Sequence, residues 1–293
     1  MTHDLKPLVL FPKEYFERYA VIRRYGFDDR FLPQHQKTLK DTFESFVCYR
    51  NEDSTLRVLA VGSADGTTDI QIIDTLNSKY SSILYVVVET AESQVEMFKT
   101  VVESKQEAGL WKNLKFDFNP ITIEEYLRKT KSEKQRNGFD IIHLQHCAYH
   151  FADIEGTTVE LYGRLNKGGM LCALVVIGAW EEIILRFGNV ISDSMSSQVG
   201  SPILREMLQR RIPDVKIKTQ HRKIRVKVDE CFKENSKDGN MMLDFVMQLL
   251  DFRKTAPPEV VGDFMKFFKE LCYEENSEMY FPADDSIITV IKE

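Results

Sequence analysis

The chain has 293 residues, of which 43% are hydrophobic and 29% are charged, and its formal net charge is −6 at pH 7. This length allows one large domain or two small ones, and the composition is ordinary for a globular protein. The acidic balance does not favour a nucleic-acid partner, and no apolar run approaches the ~20 residues that a membrane-spanning helix needs.

Helical and apolar segments alternate along the first two thirds of the chain. The hydrophobic pattern predicts two opening helices, over 13–25 and 33–48. It then predicts strands over 57–61, 84–88, 114–118, 139–144 and 169–177, and helices over 67–80, 91–107, 154–166 and 180–188. This alternation indicates an α/β fold with a mostly parallel sheet that is covered on both faces.

The pattern changes after residue 190. Residues 214–228 alternate, as V-K-I-K and then I-R-V-K-V, which predicts one strand with a solvated face. The basic residues of this strand are better explained by that solvated face than by a nucleic-acid patch, because the whole chain is acidic. The segments 239–252 and 257–272 predict helices, and S-I-I-T-V-I predicts a last strand that closes the sheet antiparallel.

These elements predict three parts of the chain. Residues 1–50 are expected to supply N-terminal helices that cap a substrate site, and 51–194 a cofactor-binding core. Residues 195–293 are expected to supply the remaining strands and an auxiliary substrate subdomain, near 195–212 and 232–280.

The loop after the first predicted strand, Gly62-Ser63-Ala64-Asp65-Gly66, indicates a cofactor site. A dinucleotide-binding G-x-G-x-x-G would need glycine where the chain has Ala64 and Thr67, and there is no P-loop motif. An acid and no base suit a cofactor with a cationic amino-acid end and no phosphate, such as S-adenosylmethionine. A βα turn without a ligand is the alternative. Glu89, at the end of the second predicted strand, favours the cofactor because one carboxylate can accept both hydroxyl protons of a ribose.

Ligands of open α/β sheets bind beyond the carboxyl ends of the strands, and the fourth predicted strand ends in a polar cluster. The cluster comprises His143, Gln145, His146, Cys147, Tyr149 and His150. A zinc site is disfavoured because positions 143 and 146 point to opposite faces of a strand. Nothing in the sequence activates a Cys147–histidine pair, and Cys147 and Cys172 are predicted to be core residues. We interpret His143 as buried and hydrogen-bonded, whereas His146 and His150 are placed to face a pocket.

Aromatic side chains are expected at the walls of the same pocket. They are Tyr15 and Tyr19 on the first helix, Trp180 after the fifth strand, and Phe245 in the late helical region. Aromatic ring faces attract cations, which suits an amine substrate. At helical spacing such residues are more often core, so each position alone carries little weight.

The motifs together resemble the histamine N-methyltransferases, class I S-adenosylmethionine-dependent enzymes that methylate an imidazole ring. The resemblance runs from Tyr15 to the end of the chain. It is carried by V-G-S-A-D-G-T-T-D-I-Q-I, V-V-E-T-A-E-S-Q, H-L-Q-H-C-A-Y-H-F-A-D-I, L-D-F with T-A-P-P, and the terminal strand. It implies a Rossmann-like class I methyltransferase fold: a seven-stranded sheet with an antiparallel last strand and an added helical substrate region, acting as a monomer.

The resemblance assigns roles to individual residues. The family's cofactor contacts are matched by Gly62, Glu89 and Gln94. We also assign a cofactor-binding role to three further residues, of the loop and of the end of the fourth strand: Ser63, Gly66 and Gln145. The family's aromatic substrate walls are matched by Tyr15, Tyr19, Tyr149, Trp180 and Phe245.

Five positions depart from the family's pattern. Its substrate glutamate, its glutamine after the fourth strand, a second tyrosine, a second tryptophan and an asparagine before the last strand correspond here to Gln34, His146, His150, Ile184 and Asp284. An acid is therefore lost at one place and gained at another, which moves the charge of the expected pocket without abolishing it. We expect Asp284 to anchor a substrate ammonium group, and His146 to accept a hydrogen bond from the substrate ring N–H or to polarise it through water. Gln34 is the third expected catalytic residue.

The sequence thus predicts an S-adenosylmethionine-dependent N-methyltransferase of a small, histamine-like imidazole amine, with no metal. A histidine-containing dipeptide such as carnosine is an alternative, because glutamine at position 34 repels a carboxylate less than glutamate would; another small amine is a further alternative. A non-catalytic relative that only binds cofactor or partner is a different class, and a nicotinamide oxidoreductase is disfavoured because its phosphate loop is absent. Five scattered cysteines without a C-x-x-C pair, and an N-terminus unlike a signal peptide, predict a cytoplasmic protein with no membrane partner.

Overall fold

The structure is a computed structural model. It describes residues 5–26, 32–46, 55–131, 138–190 and 200–293, with the backbone alone for 32–35. Within these ranges the helices are α1 Pro12–Gly26, α2 Leu32–Ser45, α3 Thr67–Asn77, α4 Glu92–Glu107, α5 Ile123–Lys129, α6 Ile154–Gly163, α7 Ala179–Phe187, α8 Ser201–Arg211, α9 Lys237–Met247, α10 Phe252–Thr255 and α11 Pro258–Leu271. The strands are β1 Leu56–Val61, β2 Ile83–Val88, β3 Leu114–Asn119, β4 Phe139–Gln145, β5 Leu165–Val176, β6 Ile217–Arg222, β7 Arg225–Lys227, β8 Tyr273–Glu275, β9 Glu278–Pro282 and β10 Asp285–Ile291.

Seven strands form one sheet in the order β3-β2-β1-β4-β5-β10-β6. Parallel pairing joins β1 to β2 and β4, β2 to β3, and β4 to β5. β10 runs antiparallel to β5, because Ile177 N–H donates to the Asp284 carbonyl at one end while Gly168 N–H donates to the Lys292 carbonyl at the other. The expected seven-stranded sheet with an antiparallel last strand is confirmed.

The central strands of this sheet are apolar because both faces of the sheet are covered there. In β1 every residue except Arg57 is buried, and in β2 every residue except Leu84. Alternate residues point to opposite faces, so Leu59 packs into one apolar layer while Val58 packs into the other. The five parallel strands expected from the sequence are all present, although β5 begins earlier than expected, at Leu165.

The predicted single strand over 214–228 is wrong. It is two strands: β6 belongs to the seven-stranded sheet, whereas β7 belongs to a three-stranded sheet of order β7-β9-β8. The chain turns between them, where Ile224 N–H donates to Asp284 Oδ1 at 2.8 Å. Alternating side chains predict a strand but not its partner, so the change of sheet was not visible in the sequence.

Other elements depart from the sequence prediction. α5, α8 and the β8–β9 hairpin were not predicted. The helix expected over 239–252 ends at Met247, because Gln248 adopts a left-handed φ of 52°, and α10 follows as a separate turn. The part of the expected auxiliary subdomain over 195–199 lies outside the described residues.

The chain divides into two compact units. The sheet unit comprises Gln36–Val175, Val199–Gln220 and Ser286–Glu293. The auxiliary unit comprises Met1–His35, Val176–Gln198 and His221–Asp285. The auxiliary unit has its own apolar interior, which includes Leu243, Phe264 and Phe268. None of the helices in the described ranges is both long enough and apolar enough to cross a membrane.

Candidate cofactor and substrate sites

Two left-handed glycines shape the loop at the carboxyl end of β1. Gly62 has φ 73° and Gly66 has φ 77°. A Cβ atom on Gly62 would lie 2.5 Å from the Cys147 Cβ, and one on Gly66 would lie 2.3 Å from the Phe98 ring. Both positions therefore require glycine, for backbone conformation and for space.

Glu89 holds this loop from the end of β2. Its Oε2 accepts a hydrogen bond from the Ala64 N–H at 2.9 Å, and its Oε1 accepts one from the Ala91 N–H at 3.0 Å. A carboxylate oxygen has two lone pairs, so each oxygen can accept a further hydrogen bond from a ligand hydroxyl. Gln94 lies nearby in the first turn of α4, where its N–H donates to the Ala91 carbonyl at 2.9 Å.

A buried hydrogen-bonded network lies behind the loop. This Asp69 network comprises Ser63, Asp69, Tyr85, His143 and Gln145. The Asp69 carboxylate accepts from Ser63 Oγ at 3.1 Å, from Tyr85 Oη at 2.8 Å and from Gln145 Nε2 at 2.9 Å. Tyr85 Oη also lies 2.8 Å from His143 Nε2, and Gln145 Nε2 lies 3.2 Å from His143 Nδ1.

The hydrogens of the Asp69 network can be assigned from these contacts. If the Gln145 amide nitrogen donates to His143 Nδ1, the ring proton is on Nε2 and is donated to Tyr85 Oη. The Tyr85 hydroxyl proton is then donated to Asp69. Burial lowers the pKa of His143 to about 3, so the ring is neutral, as interpreted from the sequence. Burial raises the pKa of Asp69 to about 7, although the hydrogen bonds from Tyr85, Ser63 and Gln145 oppose that rise.

Three members of the Asp69 network, Ser63, His143 and Gln145, were named from the sequence, whereas Asp69 and Tyr85 were missed. Gln145 was assigned to the cofactor, whereas its amide nitrogen is engaged with Asp69 and His143. Asp69 was not singled out, yet it lies on the same helix face as Ile72, Ile73 and Leu76, which are buried. An acid on the apolar face of a helix was the signal that could have identified it.

The residues after β4 form a tight turn. His146 has a left-handed φ of 49°, and its N–H donates to the Leu174 carbonyl at 3.0 Å. The Tyr149 and His150 rings pack edge to face, with centroids 4.7 Å apart. Burial lowers the pKa of His150 to about 4, so this imidazole is neutral at pH 7.

Cys147 packs against the loop and has no activated thiol. Its Sγ donates to the Val61 carbonyl at 3.2 Å, and burial raises the pKa of the thiol well above its usual value. Cys172 is completely buried. Both agree with the core role predicted from the sequence. Within the described ranges, no group of three or more His, Cys, Asp or Glu side chains is arranged to hold a metal ion.

The auxiliary unit brings together the four aromatic residues expected at the substrate site. Phe245 is central to this aromatic cluster: its ring centroid lies 5.4 Å from Tyr15, 5.7 Å from Tyr19 and 6.4 Å from Trp180. All four side chains are half-buried, so each is accessible to solvent in part. Ile184 lies on α7, as Trp180 does.

Asp284 is joined by a backbone hydrogen bond to Ile177, three residues before Trp180 of the aromatic cluster. It lies three residues after Phe281, whose ring centroid is 5.2 Å from Trp180, and its carbonyl accepts from Ile177 N–H at 3.1 Å. The neighbouring Asp285 is buried and pairs with Arg222, with Arg222 Nε 2.7 Å from Oδ1. Gln34 lies in α2, and its side chain is outside the described residues.

Curated histamine N-methyltransferases are similar to the chain over most of its length. The Bos taurus enzyme is 23% identical over 244 residues, which are 81% of this chain and 82% of that enzyme. Histamine N-methyltransferase B of Xenopus laevis is 26% identical over 266 residues, which are 89% of this chain and 88% of that enzyme. Carnosine N-methyltransferase 2 of Gallus gallus is 24% identical over 212 residues, which are 71% of this chain and 64% of that enzyme. No protein-family model matches the chain.

Solved structures share the fold at lower sequence identity. The YcgJ protein of Bacillus subtilis gives a TM-score of 0.54 at 14% identity, over 89% of this chain and 99% of that one. A putative methyltransferase of Bacillus halodurans gives 0.52 at 14% identity, over 88% of this chain and 98% of that one. These similarities concern the fold alone.

The sheet order, the antiparallel last strand and the glycine loop after β1 define a class I methyltransferase. S-adenosylmethionine is the cofactor of this class, and its positive charges fit a loop that carries Asp65 and lies against Glu89, with no basic residue. Within the class, the chain is similar in sequence to curated histamine N-methyltransferases, at 22–26% identity.

Proposed function

We propose that the chain transfers a methyl group from S-adenosylmethionine to a nitrogen of a small imidazole-containing amine. The observation that carries the proposal is the left-handed loop of Gly62 and Gly66, held by the Glu89 carboxylate. When bound, S-adenosylmethionine supplies an electrophilic methyl group. The chain has to orient the two reactants, since an imidazole nitrogen has a free lone pair above its pKa of ~6.5 and needs no strong base.

Six residues are proposed to hold the cofactor. They are Gly62, Ser63, Gly66, Glu89, Gln94 and Gln145. Glu89 is the ribose acceptor, because both of its oxygens are already oriented by backbone N–H groups and retain lone pairs. Gln145 and Ser63 act through the Asp69 network, to which their side chains are bonded.

The aromatic cluster and Asp284 are proposed to receive the cationic end of the substrate. The faces of Tyr15, Tyr19, Trp180 and Phe245 attract an ammonium group, an interaction of about 0.5–2 kcal/mol. Asp284 supplies a carboxylate, of which Oδ1 accepts from Ile224 N–H. Gln34 keeps its proposed substrate role on the basis of the resemblance alone.

The three residues after β4 are proposed to contact the substrate ring. His146 accepts a hydrogen bond from the ring N–H or polarises it through water. Tyr149 and His150 form a wall, and His150 does not repel a cationic substrate because its imidazole is neutral at pH 7. Turnover of a His146→Ala variant at saturating cofactor separates a catalytic role of His146 from simple packing.

A histidine-containing dipeptide is the second candidate substrate. A curated carnosine N-methyltransferase is among the chain's relatives. Glutamine at position 34, in place of the family's glutamate, lowers the repulsion of a substrate carboxylate.

We also propose that the protein is a cytoplasmic monomer that binds no nucleic acid. Sedimentation velocity tests the oligomeric state, and the expected result is a single species with the mass of one chain.

The decisive experiment measures binding first and transfer second. Calorimetry with S-adenosylhomocysteine tests the cofactor site, and Glu92→Gln on the exposed surface of α4 serves as the control for Glu89→Gln. Mass spectrometry then follows methyl transfer to histamine, carnosine and a series of primary amines. Binding without transfer to any acceptor would identify a non-catalytic relative, and no binding at all would reject the methyltransferase proposal.

A further inference from the structure

Asp69 is a completely buried acid, and no cationic side chain among the described residues neutralises its charge. Its side chain is 0% exposed, and no lysine or arginine in the described part of the chain forms an ion pair with it. The nearest ionisable nitrogen, His143 Nε2, lies 3.6 Å away and belongs to a neutral ring. Buried carboxylates are ordinarily paired with a cation, so an unpaired one requires an explanation.

The surroundings of Asp69 stabilise a negative charge by hydrogen bonds alone. Ser63, Tyr85 and Gln145 all donate to the carboxylate. Tyr85 in turn accepts from His143 in the hydrogen assignment given above, which makes the Tyr85 hydroxyl a stronger donor. Hydrogen bonds donated to a carboxylate favour its ionised form.

Asp69 is separated from the cofactor loop by one hydrogen bond. Ser63 forms part of the loop between Gly62 and Gly66, and its Oγ donates to Asp69 Oδ1. Electrostatic interactions are several times stronger in a desolvated interior than in water. A positive charge held at the loop therefore interacts strongly with an ionised Asp69.

We propose that the Asp69 carboxylate enables the site to distinguish the positively charged methyl donor from its neutral product. In methyl transfer the C–S bond breaks with its electron pair staying on sulfur, and the lone pair of the acceptor nitrogen forms the N–C bond. The positive charge passes to the acceptor, whose ring N–H proton is then lost to solvent. The sulfonium of S-adenosylmethionine thereby becomes the uncharged thioether of S-adenosylhomocysteine. Asp69 attracts the first and is indifferent to the second, which favours donor binding and product release. This inference rests on the proposed function, because it requires that cofactor at the loop.

Asp69 is the group of its network that changes charge near neutral pH. Its pKa is raised by burial to about 7, whereas burial lowers the pKa of His143 to about 3. Burial also raises the pKa values of Tyr85 and of Cys147 well above their usual ranges. Glu89, at the end of β2, is a further acid that acts on this region, and Asp65 lies in the loop itself. A cation at the loop favours the ionised form of Asp69, so donor binding near pH 7 should release a proton.

The test compares the dissociation constants of S-adenosylmethionine and S-adenosylhomocysteine by calorimetry. In the wild type, the preference for the donor should increase as the pH rises through about 7, because Asp69 then becomes ionised. Asp69→Asn should abolish this pH dependence and weaken donor binding by about tenfold relative to product binding. Donor binding should also release protons, which is measured in buffers of different ionisation enthalpy.

Three further variants control the comparison. Asp140→Asn removes another buried acid, at the opposite end of β4, where Asp140 accepts from Arg57 N–H and Asn166, and should leave the preference unchanged. His146→Asn should keep the pH dependence, because Asp69, to which that dependence is assigned, stays in place. Tyr85→Phe removes a donor to Asp69, so it should move the midpoint of the pH dependence upward while Asp69 stays in place.

The outcomes separate this inference from the proposed function. Equal loss of donor and product binding in Asp69→Asn, with an unchanged pH profile, would show a purely structural role and overturn the inference while the cofactor site stands. If Asp69→Asn does not fold, an unmoved midpoint in Tyr85→Phe overturns it equally. Failure of the wild type to bind either compound would overturn both proposals.

Discussion

Arg18 and Asp244 form an ion pair in the interior of the auxiliary unit, with Arg18 Nε donating to Asp244 Oδ2 at 2.8 Å. Their side chains are 9% and 4% exposed, and they join α1 to α9. Asp244 also accepts from the Phe252 N–H at 2.8 Å. Phe245 follows Asp244 directly, and Tyr19 follows Arg18, so this pair positions the aromatic cluster.

Arg18→Met should destabilise the protein severely. The substitution leaves the Asp244 carboxylate buried without its cation, and loss of one partner of such a pair costs about 3–5 kcal/mol. Chemical denaturation measures the change in the free energy of unfolding. Lys13→Met, on the same helix, removes an exposed pair with Glu17 and should cost less than about 1 kcal/mol. Similar losses in the two variants would contradict the structural role of Arg18.

Gly66→Ala should lower both stability and cofactor affinity. Alanine is strained at a φ of 77°, and its Cβ would lie 2.3 Å from the Phe98 ring, so the expected loss is about 1–3 kcal/mol. Gly262→Ala is the matched control, since it lies in α11 with open space around it and should be neutral or stabilising by up to about 1 kcal/mol. Thermal unfolding and calorimetry with S-adenosylhomocysteine check both effects.

Glu89→Gln should weaken binding of S-adenosylhomocysteine by about tenfold or more. An amide has one acceptor oxygen where the carboxylate has two, so either a loop N–H or a ribose hydroxyl loses a charged partner, at about 1.5–3 kcal/mol. The fold should remain intact by circular dichroism. Wild-type affinity in this variant would remove Glu89 from the cofactor site.

Trp180→Ala should raise the KM for the amine with little effect on cofactor affinity. Loss of one aromatic face weakens the attraction for an ammonium group by about 0.5–2 kcal/mol, a change of roughly 2- to 30-fold. Steady-state kinetics give KM, and calorimetry gives the cofactor dissociation constant. Leu185→Ala, in the same helix and 81% exposed, should leave both unchanged. An unaltered KM in Trp180→Ala would separate the aromatic cluster from substrate binding.

The buried, neutral His150 should make stability depend on pH. Its pKa in the folded protein is about 4, whereas an unfolded histidine has a pKa of ~6.5. Between these values the unfolded chain binds a proton that the folded chain does not. The contribution of His150 is therefore fully present above pH ~6.5 and is lost as the pH falls toward 4, with a limiting slope of about 1.4 kcal/mol per pH unit.

His150→Gln should flatten this dependence between about pH 4.5 and 6. His143 contributes in the same direction and Asp69 in the opposite one, since burial lowers the first pKa to about 3 and raises the second to about 7. Both groups remain in the variant, so the difference in slope isolates His150. The exposed His221, changed to glutamine, provides the comparison. Equal slopes in the wild type and His150→Gln would contradict the prediction.

The sheet could be predicted from the sequence because its signal is local. The apolar runs at Val58 and Val86 are bounded by turns, and each is long enough for one strand. The switch from β6 to β7 could not be predicted, because it depends on which strand pairs with each segment. The aromatic cluster joins Tyr15 to Phe245, residues far apart in the chain, so the sequence pattern alone gave each position little weight and the family resemblance supported placing them together. The pairing of Asp69 with Tyr85 and His143 was hidden because it joins different elements, although an acid on the apolar face of α3 was visible.

The contact between Gly62 and Cys147 limits which amino acids both positions can accept during sequence divergence. Because a methyl group at position 62 would collide with the Cys147 side chain, the two sites share one small volume. A larger residue at 147 leaves no room unless the turn at 62 moves away. Libraries that randomise both sites should retain glycine at 62, whose φ of 73° disfavours any other residue, and single-site libraries at 147 should return only small side chains.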